Sequence, residues 1–305
     1  MKVSYIIDFI QKKIGKKRNI MSKNIIESSL ILEGGTFRTV FTAGVLDAFL
    51  EHDLMMPYIL GISAGAINAC SYVSKQKERT YRVYADYRND KRYMGFRNFL
   101  KERSLFGLEF AYDIIPNQLD KFDWDAYQQY NGTLLFGVTN ALTGEVEYKN
   151  AFDMDRRCSL LRATCAIPVL FPEIKLNDTP YYDGGLADPI PIQKAIEDGY
   201  DKHVIILTRP KGYRKVMDRQ SKWAMKLLKK RYPQIAERLQ VRVDQYNHTI
   251  DFCEKLESEG KAIIFRPESP LNSMEKDVTL MRKGYEMGFK QGTERMVNMK
   301  EFLQI

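Results

Sequence analysis

Three short stretches of the chain carry residue types suited to acyl transfer. The first is Gly61-Ile62-Ser63-Ala64-Gly65. A serine on a sharp turn presents its hydroxyl outward, and small neighbours such as Gly61 and Gly65 let the chain turn tightly. The bare G-x-S-x-G spacing decides little. With glycine and serine each near ~7% of residues, roughly one chain in ten of this length contains it by chance. Its placement decides more. Residues 58–62 read as a strand and 64–73 as a helix, so Ser63 falls at a strand–turn–helix junction. A helix N-terminus at that point also favours negative charge developing on the reacting group.

The second stretch is Glu33-Gly34-Gly35-Thr36-Phe37-Arg38, directly after a strand predicted at 28–32. Consecutive glycines at a strand end let backbone N–H groups point at a ligand oxygen, which the oxyanion of a tetrahedral intermediate requires. A dinucleotide loop is the weaker reading, since G-x-G-x-x-G is absent. A plain tight turn also fits this stretch taken alone. The third is Tyr182-Asp183-Gly184-Gly185, followed by Pro189 and Pro191. An aspartate at a strand end, with glycines that bend the backbone away, can aim its carboxylate at a neighbouring site. Alone it is more often a turn aspartate.

The elements that must position these stretches follow from periodicity. Short apolar runs alternate with helical patterns from Glu27 to Thr208. A helix is expected over 40–50, strands at 133–138 and 145–148, and a helix near 156–164. Residues 203–207 form a continuous apolar run of the kind found in a buried parallel strand. Such alternation argues for βαβ units and a sheet covered on both faces. Beyond Arg209 the pattern turns largely helical over 213–257 and 275–303, with one strand at 262–265 that would add to the main sheet. The expected organisation is a basic amphipathic extension (1–24), a catalytic domain (25–210) and a mostly helical region (211–305).

Taken in order, these motifs resemble the patatin-like phospholipase family over roughly residues 28–208. The resemblance includes Ala166-Ile167-Pro168 with Phe171-Pro172, which is similar to the family's segment upstream of its aspartate. It implies a three-layer α/β/α sandwich with a mostly parallel sheet and a serine–aspartate dyad working without histidine. It also implies a lipid ester as substrate and no metal or other cofactor. Ser63 would be the nucleophile and Asp183 the base. Gly34, Gly35 and the N–H of Thr36 would form the oxyanion hole, with Arg38, Gly61, Gly65, Gly184 and Gly185 in support. For Arg38, pinning the loop through a salt bridge is preferred over stabilising charge. Two departures stand out. Thr36 replaces a third glycine, and Thr39 replaces a further one after the arginine. A β-branched residue is costly at positive φ, so Thr36 is expected at negative φ on a somewhat different loop path.

Two other readings compete. A conventional Ser–His–Asp hydrolase would draw on one of three histidines, His52, His203 or His248. His203 is expected at the opposite end of the sheet, and the chain order Ser…Asp…His is available with His248. The altered glycine loop also raises a catalytically weak binding module that docks on membranes or proteins, against which Ser63 and Asp183 stand intact.

Charge narrows the partners. The 305-residue chain carries +8 overall, but residues 1–24 carry +6 and 209–231 carry +9. Either segment would suit peripheral contact with an anionic membrane. In the first, Val3, Ile6, Ile7, Ile10 and Ile14 with Phe9 would form one apolar helical stripe. Packing of that stripe on the catalytic domain is the alternative. No nucleic acid is expected, since no zinc-finger spacing or RNP-like motif accompanies the charge. The cysteines Cys70, Cys158, Cys165 and Cys253 lack C-x-x-C spacing, so free thiols in a reduced cytoplasm are expected. No secretory signal or membrane span is read.

Overall fold

The computed structural model describes residues 28–305. The apolar stripe and basic cluster expected in residues 1–24 lie outside them. Among the described residues, eight strands form one sheet: β1 (Ser28–Leu32), β2 (Tyr58–Ile62), β3 (Thr133–Asn140), β4 (Val146–Asn150), β5 (Ile174–Leu176), β6 (Thr179–Asp183), β7 (Lys202–Ile206) and β8 (Ala262–Phe265). Hydrogen-bonded neighbours run β5-β6-β3-β2-β1-β7-β8, with β4 also on β3. The β8-β7-β1-β2-β3 portion is parallel. The pairings of β3 with β4, β3 with β6 and β5 with β6 are antiparallel.

The helices are α1 (Val40–Glu51), α2 (Ala64–Val73), α3 (Arg79–Tyr87), α4 (Phe96–Glu102), α5 (Trp124–Gln128), α6 (Ser159–Thr164), α7 (Ile192–Glu197), α8 (Arg219–Leu228), α9 (Pro233–Ser258), α10 (Val278–Glu294) and α11 (Met296–Leu303). They cover both faces of the sheet. Strand alternation explains how. On β1, Leu30 and Leu32 face a core built with Phe37, Phe41, Phe49 and Tyr285. Ile31 faces the opposite core, with Ile205, Ile264, Tyr246 and Ile250. Burial on both sides is why Leu30–Leu32 of β1 and Val204–Ile206 of β7 are all apolar. The fold is thus the mostly parallel three-layer α/β/α sandwich.

Two features were not read from the sequence. One is the β5–β6 hairpin. Asn177 and Asp178 both take positive φ, 47° and 65°, as a two-residue turn of primed type demands. The other is the close crossing of α10 on α1. Gly284, Gly288 and Gly292 recur every fourth residue and face α1. A Cβ on Gly44 would collide with the Tyr285 carbonyl, and one on Gly288 with the Phe41 carbonyl. Residues 211–218, expected to be helical from 213 on, are instead an extended loop ahead of α8. Pro233 opens α9 at its first turn, where its missing N–H costs nothing.

Candidate active site

Ser63 sits between β2 and α2 with φ 54° and ψ −128°, a left-handed backbone that a serine adopts only under constraint. The constraint is visible. The Ser63 N–H donates to Thr164 Oγ1 at 2.9 Å, and that hydroxyl donates to the Gly137 carbonyl at 2.6 Å. Thr164 therefore ties the turn to β3. The flanking glycines are needed for close approach. A Cβ on Gly61 would lie 2.7 Å from Ala66 Cα, and one on Gly65 would overlap the Leu32 carbonyl.

Asp183 reaches the same place by sheet register. On β3, Gly137 pairs with Ile62 of β2 and the next residue, Val138, pairs with Asp183 of β6. β4 occupies the other edge of β3 along both positions. β6 therefore continues the edge that β2 vacates, and Asp183 arrives beside the turn that bears Ser63. Thr139 Oγ1 donates to the Asp183 carbonyl at 2.8 Å, and the Gly185 N–H donates to its carboxylate at 2.8 Å. A Cβ on Gly184 would strike the Gly137 carbonyl, which explains a glycine after the aspartate. Both Ser63 and Asp183 are buried. Burial pushes the Asp183 carboxyl above its ordinary range. The Ser63 hydroxyl facing it, Arg242, the Gly185 N–H and Lys215 pull it part of the way back.

Gly34 lies against the serine, and a Cβ there would come within 2.8 Å of Ser63 Cβ. Among the described residues, the N–H groups of Gly34, Gly35 and Thr36 have no acceptor. Thr36 corrects the expectation. Its φ is 52°, not negative. The strained residue is held by a short 3-10 turn over Thr36–Thr39. Within it the Arg38 N–H donates to the Gly35 carbonyl at 3.2 Å, and Thr39 Oγ1 to the Thr36 carbonyl at 2.8 Å. Thr39, at the second departure, is thus what stabilises the first. Arg38 pins the loop, but through a hydroxyl: its Nε donates to Thr208 Oγ1 at 3.3 Å, and no carboxylate pairs with it among the described residues. Glu33 accepts instead from the Thr208 N–H at 2.5 Å and the Tyr246 hydroxyl at 2.9 Å.

Two cavities meet at Ser63, and Thr36 and Ile167 line both. One is apolar, about 90 Å³, walled by Ile67, Tyr84, Phe106, Tyr112 and Leu161 among others. The other is polar, about 300 Å³, and includes Gly34, Gly35, Asp183, Lys215 and Arg242. Together they offer an apolar pocket on one side of a hydroxyl–carboxylate pair and a polar one on the other.

A family model described as patatin-like phospholipase matches residues 30–196, which hold all of these motifs. The chain belongs to the patatin-like phospholipase family. The patatin match supports hydrolysis of lipid esters as its activity. A second model, a domain of unknown function (DUF6363), matches residues 232–304. An uncharacterized protein of Escherichia coli K12, YjjU, is 26% identical over 85% of this chain and 74% of its own length. A probable lipid hydrolase of Invertebrate iridescent virus 6 is 24% identical over 62% of this chain and 70% of its own. Among solved structures, VipD from Legionella pneumophila matches with a TM-score of 0.45 and 14% identity, covering 92% of this chain and 67% of that one.

In this patatin-like chain none of the three histidines lines either cavity. His203 pairs with Ser29 at the start of β1, at the end of the sheet away from Ser63. Its Nδ1 lies 2.8 Å from Ser29 Oγ, and burial lowers its pKa to about 4. His52 caps the end of α1, and His248 is exposed on α9. All four cysteines are free and buried. Cys165 is beside the site, but burial, and then Asp183, push its thiol up to about 12, so it is a poor nucleophile. Among the described residues, no cluster of His, Cys, Asp or Glu has the makings of a metal site, and no helix is long and apolar enough to cross a membrane. Sequence reading missed Thr164, Thr208, Lys215 and Arg242. They lie in no motif, and only the tertiary fold brings them to the site.

Proposed function

We propose that the protein hydrolyses lipid carboxylic esters with Ser63 as nucleophile and Asp183 as its base. The observation that carries this reading is the Ser63 hydroxyl facing the buried Asp183 carboxylate where an apolar and a polar cavity join. The acyl chain occupies the apolar cavity and leaves the ester carbonyl at Ser63. Ser63 Oγ bonds to the carbonyl carbon while its proton passes to Asp183. The oxyanion forms against the N–H groups of Gly34, Gly35 and Thr36. The C–O bond to the alcohol then breaks, and the alkoxide leaves with the proton from Asp183. Water, deprotonated by Asp183, attacks the acyl-serine, and the fatty acid departs as Ser63 regains its proton.

A carboxylate is intrinsically a weak base for a serine, with a reference pKa near ~3.9. Burial raises the basicity of Asp183, and the N–H groups of the loop carry much of the rest. That no histidine lines either cavity, and that His203 is engaged with Ser29, support a dyad over a conventional triad.

Approach to a membrane is part of the same reading. One side of α8 lines the polar cavity with Gln220, Ser221 and Ala224. The helix also exposes Trp223 and Leu227, flanked by Lys222 and Lys226. An exposed aromatic–aliphatic pair among cations suits the surface of an anionic bilayer. The deciding experiment is a panel of lipid and p-nitrophenyl esters given to the wild type and to Ser63→Ala. Turnover by the wild type and its loss in the variant support the proposal. Equal turnover by both sinks it.

A further inference from the structure

The polar cavity holds four cationic side chains, Arg38, Arg209, Lys215 and Arg242. None of them forms an ion pair with a carboxylate among the described residues. Each is nevertheless fixed in place. Arg38 bonds Thr208, as above. The Arg209 guanidinium lies 4.5 Å from the centre of the Tyr213 ring. Lys215 has its backbone clamped by Asn247, whose Oδ1 accepts at 2.7 Å and whose Nδ2 donates at 3.1 Å. Its Nζ lies 5.2 Å from the Tyr246 ring centre. Arg242 Nε donates to the Gly185 carbonyl at 2.8 Å.

The carboxylates facing the same space are engaged elsewhere. Glu33 accepts from Thr208 and Tyr246. Asp183 faces Ser63 and accepts from Gly185. Asp218 caps α8 through the Ser221 N–H at 2.6 Å. Four mutually repelling cations held in place with N–H donors to spare are a site short of an anion. Burial and the neighbouring Arg242, Arg38 and Arg209, against Glu33, hold Lys215 down at about 8, as such crowding should.

We propose that this cluster binds a phosphate on the alcohol side of the substrate, so that the enzyme prefers ester lipids with an anionic phosphate headgroup over neutral acylglycerols. The proposal rests on the reading of Ser63 given above. With the carbonyl at Ser63 and the chain in the apolar cavity, the alcohol portion must extend into the polar one. Guanidinium and ammonium groups are the residues of choice for phosphate oxygens. Three of the four, Arg209, Lys215 and Arg242, lie outside the 30–196 matched by the patatin-like model. Headgroup choice would then belong to the C-terminal part of this chain and not to the family motifs.

The test uses the full chain and two substrates of one acyl length that differ by a phosphate, a lysophosphatidic acid and a monoacylglycerol, both below their micellar concentrations. The quantity read is the ratio of their kcat/KM values. The wild type should favour the phosphate-bearing lipid by roughly 10-fold or more. In Arg209→Gln/Lys215→Gln the ratio should collapse toward unity through KM, and Lys215→Arg should preserve it. A wild-type ratio near unity, or a ratio untouched in a double variant that melts like the wild type, overturns the proposal.

Calorimetry on Ser63→Ala with glycerol 3-phosphate reads the site without turnover. It therefore separates an empty anion site from a failure of the hydrolase reading. Binding by Ser63→Ala that is lost on adding Lys215→Gln supports the proposal. Inorganic phosphate binding with no headgroup preference in turnover assigns the site to a free anion and overturns it.

Discussion

Ile62 and Asp183 occupy successive places on one edge of β3, opposite Gly137 and Val138. They come from strands of opposite sense, one parallel to β3 and one antiparallel. The hydroxyl that follows Ile62 and the carboxylate of Asp183 are therefore brought together by backbone ladder bonds, and no flexible loop has to be ordered to do it. Sites built on strands hold their geometry more tightly than sites built on loops.

If the pair acts as one unit, its losses will not add. Ser63→Ala and Asp183→Asn should each lower kcat by at least ~10³-fold, and the double variant should be hardly worse than either. Steady-state kinetics on the best ester of the panel checks this. Multiplying losses would mean two independent roles.

Asp183→Asn should also raise the melting temperature at neutral pH. The folded-state pKa of Asp183 lies above its ordinary value, so the fold binds more protons there than the unfolded chain does. The sign follows: the ionised carboxylate costs stability, and that cost grows as pH rises from the unfolded toward the folded pKa. The neutral amide removes the cost and can still accept from Gly185. A drop in melting temperature would show that the charge is stabilised in place.

The same displacement predicts the acid limb of activity. The base must be ionised, so kcat/KM should fall with decreasing pH through a pKa above 3.8, the ordinary aspartate value. A pH–rate profile whose acid limb stays flat down to ordinary carboxylate values would remove Asp183 from the role.

Much of this was legible in the chain because the relevant residues are local to their elements. Ser63 lies between a five-residue apolar strand and a helix, and Asp183 at a strand end before two glycines. Periodicity and turn chemistry mark such places. The 3-10 turn that lets Thr36 keep φ 52° was not legible. It depends on the Thr39 hydroxyl reaching a carbonyl three residues back, and no spacing rule announces that. Arg209 and Lys215 were seen only as part of a run of charge over 209–231, and Arg242 was not seen at all. Which of them point inward and which face solvent is set by Asn247 and Tyr213, through contacts that only the tertiary fold makes.

Thr36→Gly should stabilise the protein by up to ~1 kcal/mol. Relief of a left-handed β-branched residue is worth about 1–2 kcal/mol, partly offset by the entropy of glycine in the unfolded chain. Turnover should fall several-fold, because the loop N–H groups lose their fixed aim. Chemical denaturation and kcat measured together check both. A large gain in kcat would show instead that threonine strains the oxyanion hole.

Preference for a phosphate-bearing lipid should weaken as pH rises through about 8. Lys215 titrates there against Arg242 of α9, Arg38, Arg209 and Glu33, and its neutral amine no longer attracts the phosphate. Its effect on stability has the opposite sign. The charged form is disfavoured in the fold, and that cost is relieved as pH rises from about 8 toward the ordinary 10.5. The kcat/KM ratio of the two lipids across pH 7–9 is the measurement, and a flat ratio would dissociate Lys215 from headgroup choice.

Gly288→Ala should cost about 1–3 kcal/mol, read as a lowered denaturation midpoint. The added methyl would lie 2.0 Å from the Phe41 carbonyl oxygen, a backbone atom that cannot swing aside. An unchanged midpoint would mean that α10 and α1 can separate freely.

The parallel ladder gives these last residues a wider meaning. β1 carries the glycine loop on its end, and its far edge is paired along its whole length by β7, Lys202–Ile206. β7 in turn is sealed by β8, Ala262–Phe265. A fragment cut to the 30–196 of the family match would lay β1 bare as an open edge, the template on which chains stack into aggregates. The stretch that the family model recognises in this protein is shorter than the stretch that closes its sheet on that side.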